Sequence, residues 1–240
     1  MSSAKAGAAR GDPVAGDSGA LAKLLHALNQ PLTGLQCSLE LALCRPRTAG
    51  QYAACLRGGL ELTERMRHLV GAMRELMEIE GAAAEMPETI ELRSLLCETV
   101  AELQPVVEEK GMRVAVDCAA LPVDAGRRGL SASLFRVLES GIALAAPGSE
   151  LSIRSGPGPA LSIGWRRAGP AAAPGEFSPA QLGLLLAQAG LRRAGVDATR
   201  ELAQEHDLIV LRPRREGRGR RKIEGLTTGG PEDHGEDRRG

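Results

Sequence analysis

The residues best suited to chemistry stand close together near the N-terminus, where a histidine precedes two amides and a proline. His26 is followed by Asn29, Gln30 and Pro31 within a leucine-rich run. A histidine side chain titrates near neutral pH, so its unprotonated ring nitrogen can act as a nucleophile. The segment is therefore a candidate site for nucleophilic chemistry at His26.

An amphipathic helix, expected from about residue 19 to 44, must position this histidine. Its apolar residues alternate in steps of four and three, which is the spacing of a bundle seam. The seam consists of Leu21, Leu25, Leu28, Leu32, Leu35, Leu39 and Ala42. His26 follows a seam position by one residue, about 100° around the helix, so its ring is expected to border the core and meet water. Pro31 removes a backbone hydrogen bond one turn later and predicts a bend there.

A second helix is predicted from about residue 49 to 80, with Thr48 as its N-cap. Its seam is Cys55, Gly59, Leu62, Met66, Leu69, Met73 and Leu76. A second apolar row widens this stripe and consists of Leu56, Leu60, Thr63, Val70 and Met77. Because a single hairpin would leave so broad a stripe in water, we predict a homodimer in which two hairpins form a four-helix bundle.

The segment around His26 resembles the phosphoacceptor motif of sensor histidine kinases, which is written H-E-x-N-Q-P-L-x-x-I. The matching residues are His26, Asn29, Gln30, Pro31, Leu32 and Leu35. The resemblance implies a two-component signalling protein in which His26 carries a phosphoryl group and exchanges it with aspartates of response-regulator receiver domains. In phosphatase-active relatives the position of Gln30 orients a hydrolytic water, and Asn29 stands beside it. The family's acidic residue after the histidine, which assists autophosphorylation, is replaced by Ala27.

Beyond a linker near residues 81–87, the pattern changes to strands that alternate with helices. Strands are expected at 89–92, 112–117, 150–155, 160–166, 196–203 and 207–212, and helices at 93–109, 131–145 and 178–194. This order predicts an α/β sandwich with helices on one face. It is similar to the ATPase-like domain that follows the hairpin in histidine kinases, so the expected fold class is α+β. The predicted divisions are a disordered leader (1–18), the hairpin (19–80), the ATPase-like domain (88–212) and a disordered charged tail (213–240).

The nucleotide-binding motifs that the resemblance implies are degenerate. The family's N-box, L-x-x-V-L-x-N-L-x-x-N-A, has asparagines that hold Mg²⁺ and phosphates, and Ser140 and Leu144 stand at those positions. A leucine offers no oxygen to a hard cation. After Trp165 there is neither the family's Asp-x-Gly-x-Gly motif nor its glycine-rich lid. We therefore expect no bound ATP and no metal site in this chain, with Mg²⁺ supplied by the partner receiver. The pattern resembles bacterial histidine phosphotransferases, whose second domain no longer binds nucleotide.

Composition narrows the range of partners and locations. Lysine plus arginine and aspartate plus glutamate both number 30, so net charge predicts no general attraction to nucleic acid or to membranes. No apolar run is long enough to span a bilayer and no signal peptide is evident, which favours a cytoplasmic protein. Five cysteines at irregular spacing indicate reduced thiols rather than a metal or disulfide framework.

Three functions are consistent with these features. The first is phosphotransfer through a phosphohistidine at His26. The second is an autophosphorylating histidine kinase with a divergent ATP site. The third is a non-enzymatic pseudokinase adaptor that binds receiver domains.

Overall fold

The computed structural model describes residues 18–170, 176–203 and 205–214, so most of the predicted leader and charged tail lies outside the described residues. The first part is a hairpin of two long helices, α1 (Ser18–Leu43) and α2 (Ala49–Gly81). The predicted cap of α2 is confirmed. The Thr48 hydroxyl accepts from the N–H of Gln51 at 3.3 Å, and the Gln51 amide oxygen accepts from the N–H of Thr48 at 3.0 Å. This capping box satisfies N–H groups that the helix itself leaves unpaired. The helix α1 continues through Pro31, which is buried.

The buried face of α1 is rotated from the predicted seam. The buried α1 residues are Leu24, Ala27, Pro31 and Ala42. Of the predicted seam, only Ala42 is buried, whereas Leu25, Leu32 and Leu39 are 49%, 51% and 46% exposed. Helix α1 has two apolar stripes, and spacing alone does not indicate which one is buried within the same chain. The predicted seam therefore stays a prediction for the contact with a second copy. The predicted seam of α2 is confirmed at Leu69 and Leu76, which are buried.

The second part is an α/β sandwich. Its strands are β1 (Glu88–Glu91), β2 (Arg113–Asp117), β3 (Pro122–Ala125), β4 (Glu150–Ser155), β5 (Leu161–Arg166), β6 (Val196–Leu202) and β7 (His206–Pro213). Its helices are α3 (Leu92–Glu102), α4 (Gln104–Glu109), α5 (Arg127–Leu144) and α6 (Pro179–Arg193). The main sheet has the order β2-β4-β5-β7-β6, parallel between β2 and β4 and antiparallel at the other pairs, while β1 and β3 form a separate antiparallel pair.

One apolar core lies between the main sheet and its helices, as the predicted sandwich requires. Leu151, Ile153, Ile163 and Trp165 point into this core and are at most 1% exposed. Helix α5 approaches the sheet closely at Gly141, where a Cβ atom would lie 3.2 Å from the Trp165 ring. The opposite face of the sheet carries alternating polar side chains, as expected for a face without helices.

Two local predictions for this domain were incomplete. The single helix expected over 93–109 is divided at Leu103 into α3 and α4, and Pro105 lies in the first turn of α4. Proline lacks the N–H that a continuous helix would need and its ring collides with the preceding turn. Strand β3 was not predicted, since it has four residues, begins with Pro122 and is recognised by its pairing with β1.

Among the described residues, no helix combines the length and the apolar composition that a membrane span requires.

Candidate functional site

His26 lies on the solvent-facing side of α1. Its side chain is exposed, and so are those of Lys23 and Gln30, which share its face one turn before and after it. Asn29 is exposed as well, and its backbone carbonyl accepts a hydrogen bond from the Thr33 hydroxyl at 2.8 Å. The three residues predicted for the site are therefore accessible and lie within about one helical turn of each other. Their chemical roles stay a prediction.

The residue after His26 points into a different environment. Ala27 is 1% exposed and belongs to an apolar cluster in which α6 packs onto the hairpin. The buried members of this cluster are Leu24, Ala27, Leu69, Ala72, Leu76, Leu182 and Leu186. A carboxylate at this position would be removed from water without a partner, which is costly. The alanine at this position therefore matches the packing of α6 against α1, a contact that the sequence pattern did not reveal.

Helices α5 and α6 are in close contact at the level of Ser140. Ser140 is 4% exposed, and a Cβ atom on Gly183 of α6 would collide with its Oγ. Gly190 faces Ser133 two turns along in the same manner, and a Cβ atom on this glycine would collide with the Ser133 Oγ. These small residues bring the two helix backbones together. The hydroxyl of Ser140 is consequently directed at the neighbouring helix.

The loop after β5 places an arginine beside the end of α5. The Nη1 of Arg167 donates a hydrogen bond to the Oδ1 of Asp207 at 3.2 Å. The other carboxylate oxygen of Asp207 accepts a hydrogen bond from Arg200. Asp207 is 1% exposed, so this carboxylate is held inside the domain by two guanidinium groups. A cleft of about 730 Å³ borders the cluster, and Leu144 and Lys23 are among its lining residues.

No family model matches the chain, and no curated protein matches its sequence. By structure, the histidine kinase AdeS of Acinetobacter baumannii superposes with a TM-score of 0.50 and 17% identity, covering 79% of this chain and 97% of that chain. The chain has the fold of a sensor histidine kinase. The cytoplasmic segment of histidine kinase QseC gives a TM-score of 0.46 at 14% identity, covering 58% of this chain and 87% of that one. Full-length ShkA superposes with a TM-score of 0.46 at 17% identity, covering 80% of this chain and 44% of that chain.

The histidine kinase fold confirms the predicted α+β class and the order of hairpin and α/β domain. The sequence resemblance expects asparagines that hold a nucleotide and Mg²⁺ at positions 140 and 144 of α5, and the residues present there do not fit that group. Ser140 faces Gly183, Leu144 has no oxygen donor on its side chain, and Asp207 is already shared by two arginines. Among the described residues, no three His, Cys, Asp or Glu side chains are grouped so that they could hold a metal ion.

Proposed function

We propose that this chain is a phosphotransfer protein of two-component signalling, with His26 as the residue that carries the phosphoryl group. The observation that carries the proposal is an exposed His26 on a hairpin with the histidine kinase fold. It is supported by Ser140 and Leu144, which stand on α5 where the resemblance expects asparagines that hold Mg²⁺ and phosphates. The phosphoryl group would therefore come from the receiver domain of a response regulator rather than from ATP.

The proposed reaction is a direct displacement at phosphorus. An unprotonated ring nitrogen of His26 attacks the phosphorus of a receiver aspartyl phosphate, and its other nitrogen keeps its proton. The N–P bond forms while the bond from phosphorus to the aspartate oxygen breaks, and the carboxylate leaves with the electron pair. The carboxylate of a second receiver reverses this step and restores the neutral imidazole. A Mg²⁺ ion held by the receiver supplies positive charge to the phosphoryl oxygens.

Solvent access supports this role for His26. An in-line displacement needs the nucleophile and the leaving oxygen on opposite sides of phosphorus, so the imidazole must be open to a partner protein. His26 is exposed, and the neighbouring amides of Asn29 and Gln30 are exposed on the same turn of α1. In this proposal the amides orient a water that attacks the phosphohistidine, returning the phosphoryl group to solution.

A second copy of the chain belongs to this proposal. Leu25, Leu32 and Leu39 recur every seven residues along α1 and are about half exposed, and Leu56 and Met77 of α2 are 63% and 64% exposed. Apolar rows of this length are unfavourable in water, and two hairpins that bring them together would form the predicted four-helix bundle. Sedimentation equilibrium of the purified chain tests this part, with a dimer expected and a monomer contradicting it. The cytoplasmic location of such a dimer also stays a prediction.

The decisive experiment supplies the phosphoryl group from a receiver. A receiver domain labelled with radioactive acetyl phosphate is mixed with the protein, and transfer of acid-labile label is followed over time. We expect label on the wild type and none on His26→Gln. His68→Gln is the matched control, because His68 is a half-exposed histidine on the other helix of the hairpin, and it should retain transfer.

Parallel incubation with radiolabelled ATP and Mg²⁺ separates the alternatives. Label from ATP that disappears in His26→Gln would establish an autophosphorylating kinase and refute the proposal. Receiver domains that bind the chain without transferring label to it would instead support the adaptor. Transfer that survives in His26→Gln would place the phosphoryl group on another residue.

A further inference from the structure

The linker between the hairpin and the α/β domain is bonded to the domain that it precedes. The Glu85 carboxylate accepts hydrogen bonds from the N–H groups of Arg128 and Gly129, both at 3.0 Å. These N–H groups belong to the first turn of α5, which has no side-chain cap of its own. A carboxylate at this end of a helix satisfies unpaired N–H groups and interacts favourably with the helix dipole. Glu85 therefore caps α5 from the linker.

Two arginines add further connections between the parts. Arg136 of α5 forms an ion pair with Glu75 of α2. Arg193, in the last turn of α6, donates to the backbone carbonyl of Ala82 in the linker. Exposed ion pairs contribute little individually. Here they lie on both sides of one interface, so together with Glu85 they hold the linker, α2, α5 and α6 in one arrangement.

The same interface has an apolar centre. Leu182 and Leu186 of α6 are 6% and 4% exposed where they pack against Leu69, Leu76 and Ala27 of the hairpin. Contacts of this kind are non-directional and resist separation because they remove apolar surface from water. The hydrogen bonds and the ion pair around this apolar centre are directional, so they restrict the orientation of the α/β domain relative to the hairpin.

We propose that Glu85, Arg136 and Arg193 form a latch that makes the hairpin and the α/β domain one rigid body, with α6 held permanently against α1 beside His26. A domain that delivers ATP to a histidine has to travel to it, whereas this domain is fastened at its linker, at α5 and at α6. The α/β domain therefore keeps one position beside His26. A docking partner meets the histidine and α6 as a single preformed surface.

The chain offers native positions for testing rigidity. Cys37 on α1 and Cys97 on α3 are both exposed and lie on opposite sides of the interface. With the other three cysteines replaced by serine, spin labels at these two positions report the distance between hairpin and domain by pulsed dipolar spectroscopy. Labelled chains are diluted with unlabelled chains so that each measured distance lies within one chain. We expect a single narrow distance distribution.

Latch variants and a matched control identify the residues responsible. The triple variant Glu85→Ala, Arg136→Met and Arg193→Met should lose the narrow distribution, while the single variant Arg136→Lys should retain it. Arg127→Met is the control, because Arg127 lies on the same helix as Arg136 but pairs with Glu98 of α3. Circular dichroism confirms that each variant is folded.

Two results would overturn the latch. A broad distance distribution in the spin-labelled chain with Glu85, Arg136 and Arg193 unchanged would show that the domain moves freely. A triple variant with a distribution as narrow as that of Arg127→Met would show that these residues do not hold it. No phosphoryl donor or receiver is present, so the outcome does not depend on whether His26 accepts a phosphoryl group.

Discussion

Restoring the acidic residue of the phosphoacceptor motif tests whether α6 is packed against α1 as described. The change is Ala27→Glu, at a position 1% exposed against Leu182 and Leu186. Extra volume in a packed core costs about 1–3 kcal/mol. An unpaired buried carboxylate costs about 3–5 kcal/mol. The larger effect governs, so we expect the free energy of unfolding to fall by about 3–5 kcal/mol near pH 8.

The pH dependence separates charge from crowding. Burial disfavours the charged form, so the pKa of the introduced carboxyl rises above its ordinary value in the folded state. Between the unfolded and folded pKa values the folded variant binds the extra proton, and its stability therefore increases as pH falls. The deficit relative to wild type should consequently shrink between about pH 8 and about pH 5. A crowding effect alone would give the same deficit at both values.

Urea unfolding followed by far-UV circular dichroism, at one fixed protein concentration, measures this deficit. Ala22→Glu is the control, because Ala22 is an exposed alanine on the same helix and its replacement should change stability by less than about 0.5 kcal/mol. A deficit for Ala27→Glu no larger than that of the control would refute the described packing of α6 beside His26.

Two further predictions concern the α/β domain. Burial opposes ionisation of Glu91, but hydrogen bonds from Ser94 and from backbone N–H groups outweigh it and lower its pKa to about 2. The stabilisation by the Glu91 carboxylate is present above the ordinary pKa of a glutamate and is lost as pH falls toward 2. Glu91→Gln should therefore lower the free energy of unfolding by about 1–2 kcal/mol at neutral pH, after allowance for solvent screening. In a profile of stability against pH, the variant should also show a weaker loss of stability at acid pH. Gly190→Ala gains about 1 kcal/mol of helix propensity but meets the Ser133 hydroxyl, at a cost of about 1–3 kcal/mol. We expect Gly190→Ala to lower the free energy of unfolding and Ser133→Ala to relieve this loss in the double variant, as measured by a double-mutant cycle of urea unfolding. If the effects of the two substitutions simply added, the close contact of α5 and α6 would be contradicted.

Features encoded within a few residues of chain were predictable. The cap at Thr48 was predicted, and it forms a capping box with a glutamine three residues later; Ser178 forms the same box at the start of α6. Such caps depend on side chains that reach only their own first turn, so sequence suffices. The division at Leu103 was missed although Pro105 stood in the segment, because a proline near a helix start and one that ends a helix look alike in sequence.

Features that join distant segments were not predictable in detail. The sequence indicated that an acidic residue was missing after His26 but not why Ala27 suits its position. Nor did it indicate that Arg167, where the family's aspartate motif was sought, would share Asp207 with Arg200. Contacts of this kind form between strands and loops that meet only when the sheet is assembled, and single charged residues carry no periodic signal of their partners.

By itself, the sequence determined the two long helices, their ends and the exposure of the histidine, because hydrophobic spacing and local capping act within one helix. Only the tertiary structure decided which apolar stripe of α1 is covered. Both stripes have the composition of a core, so the choice depends on which one α6 packs against, and that contact joins residues far apart in the chain.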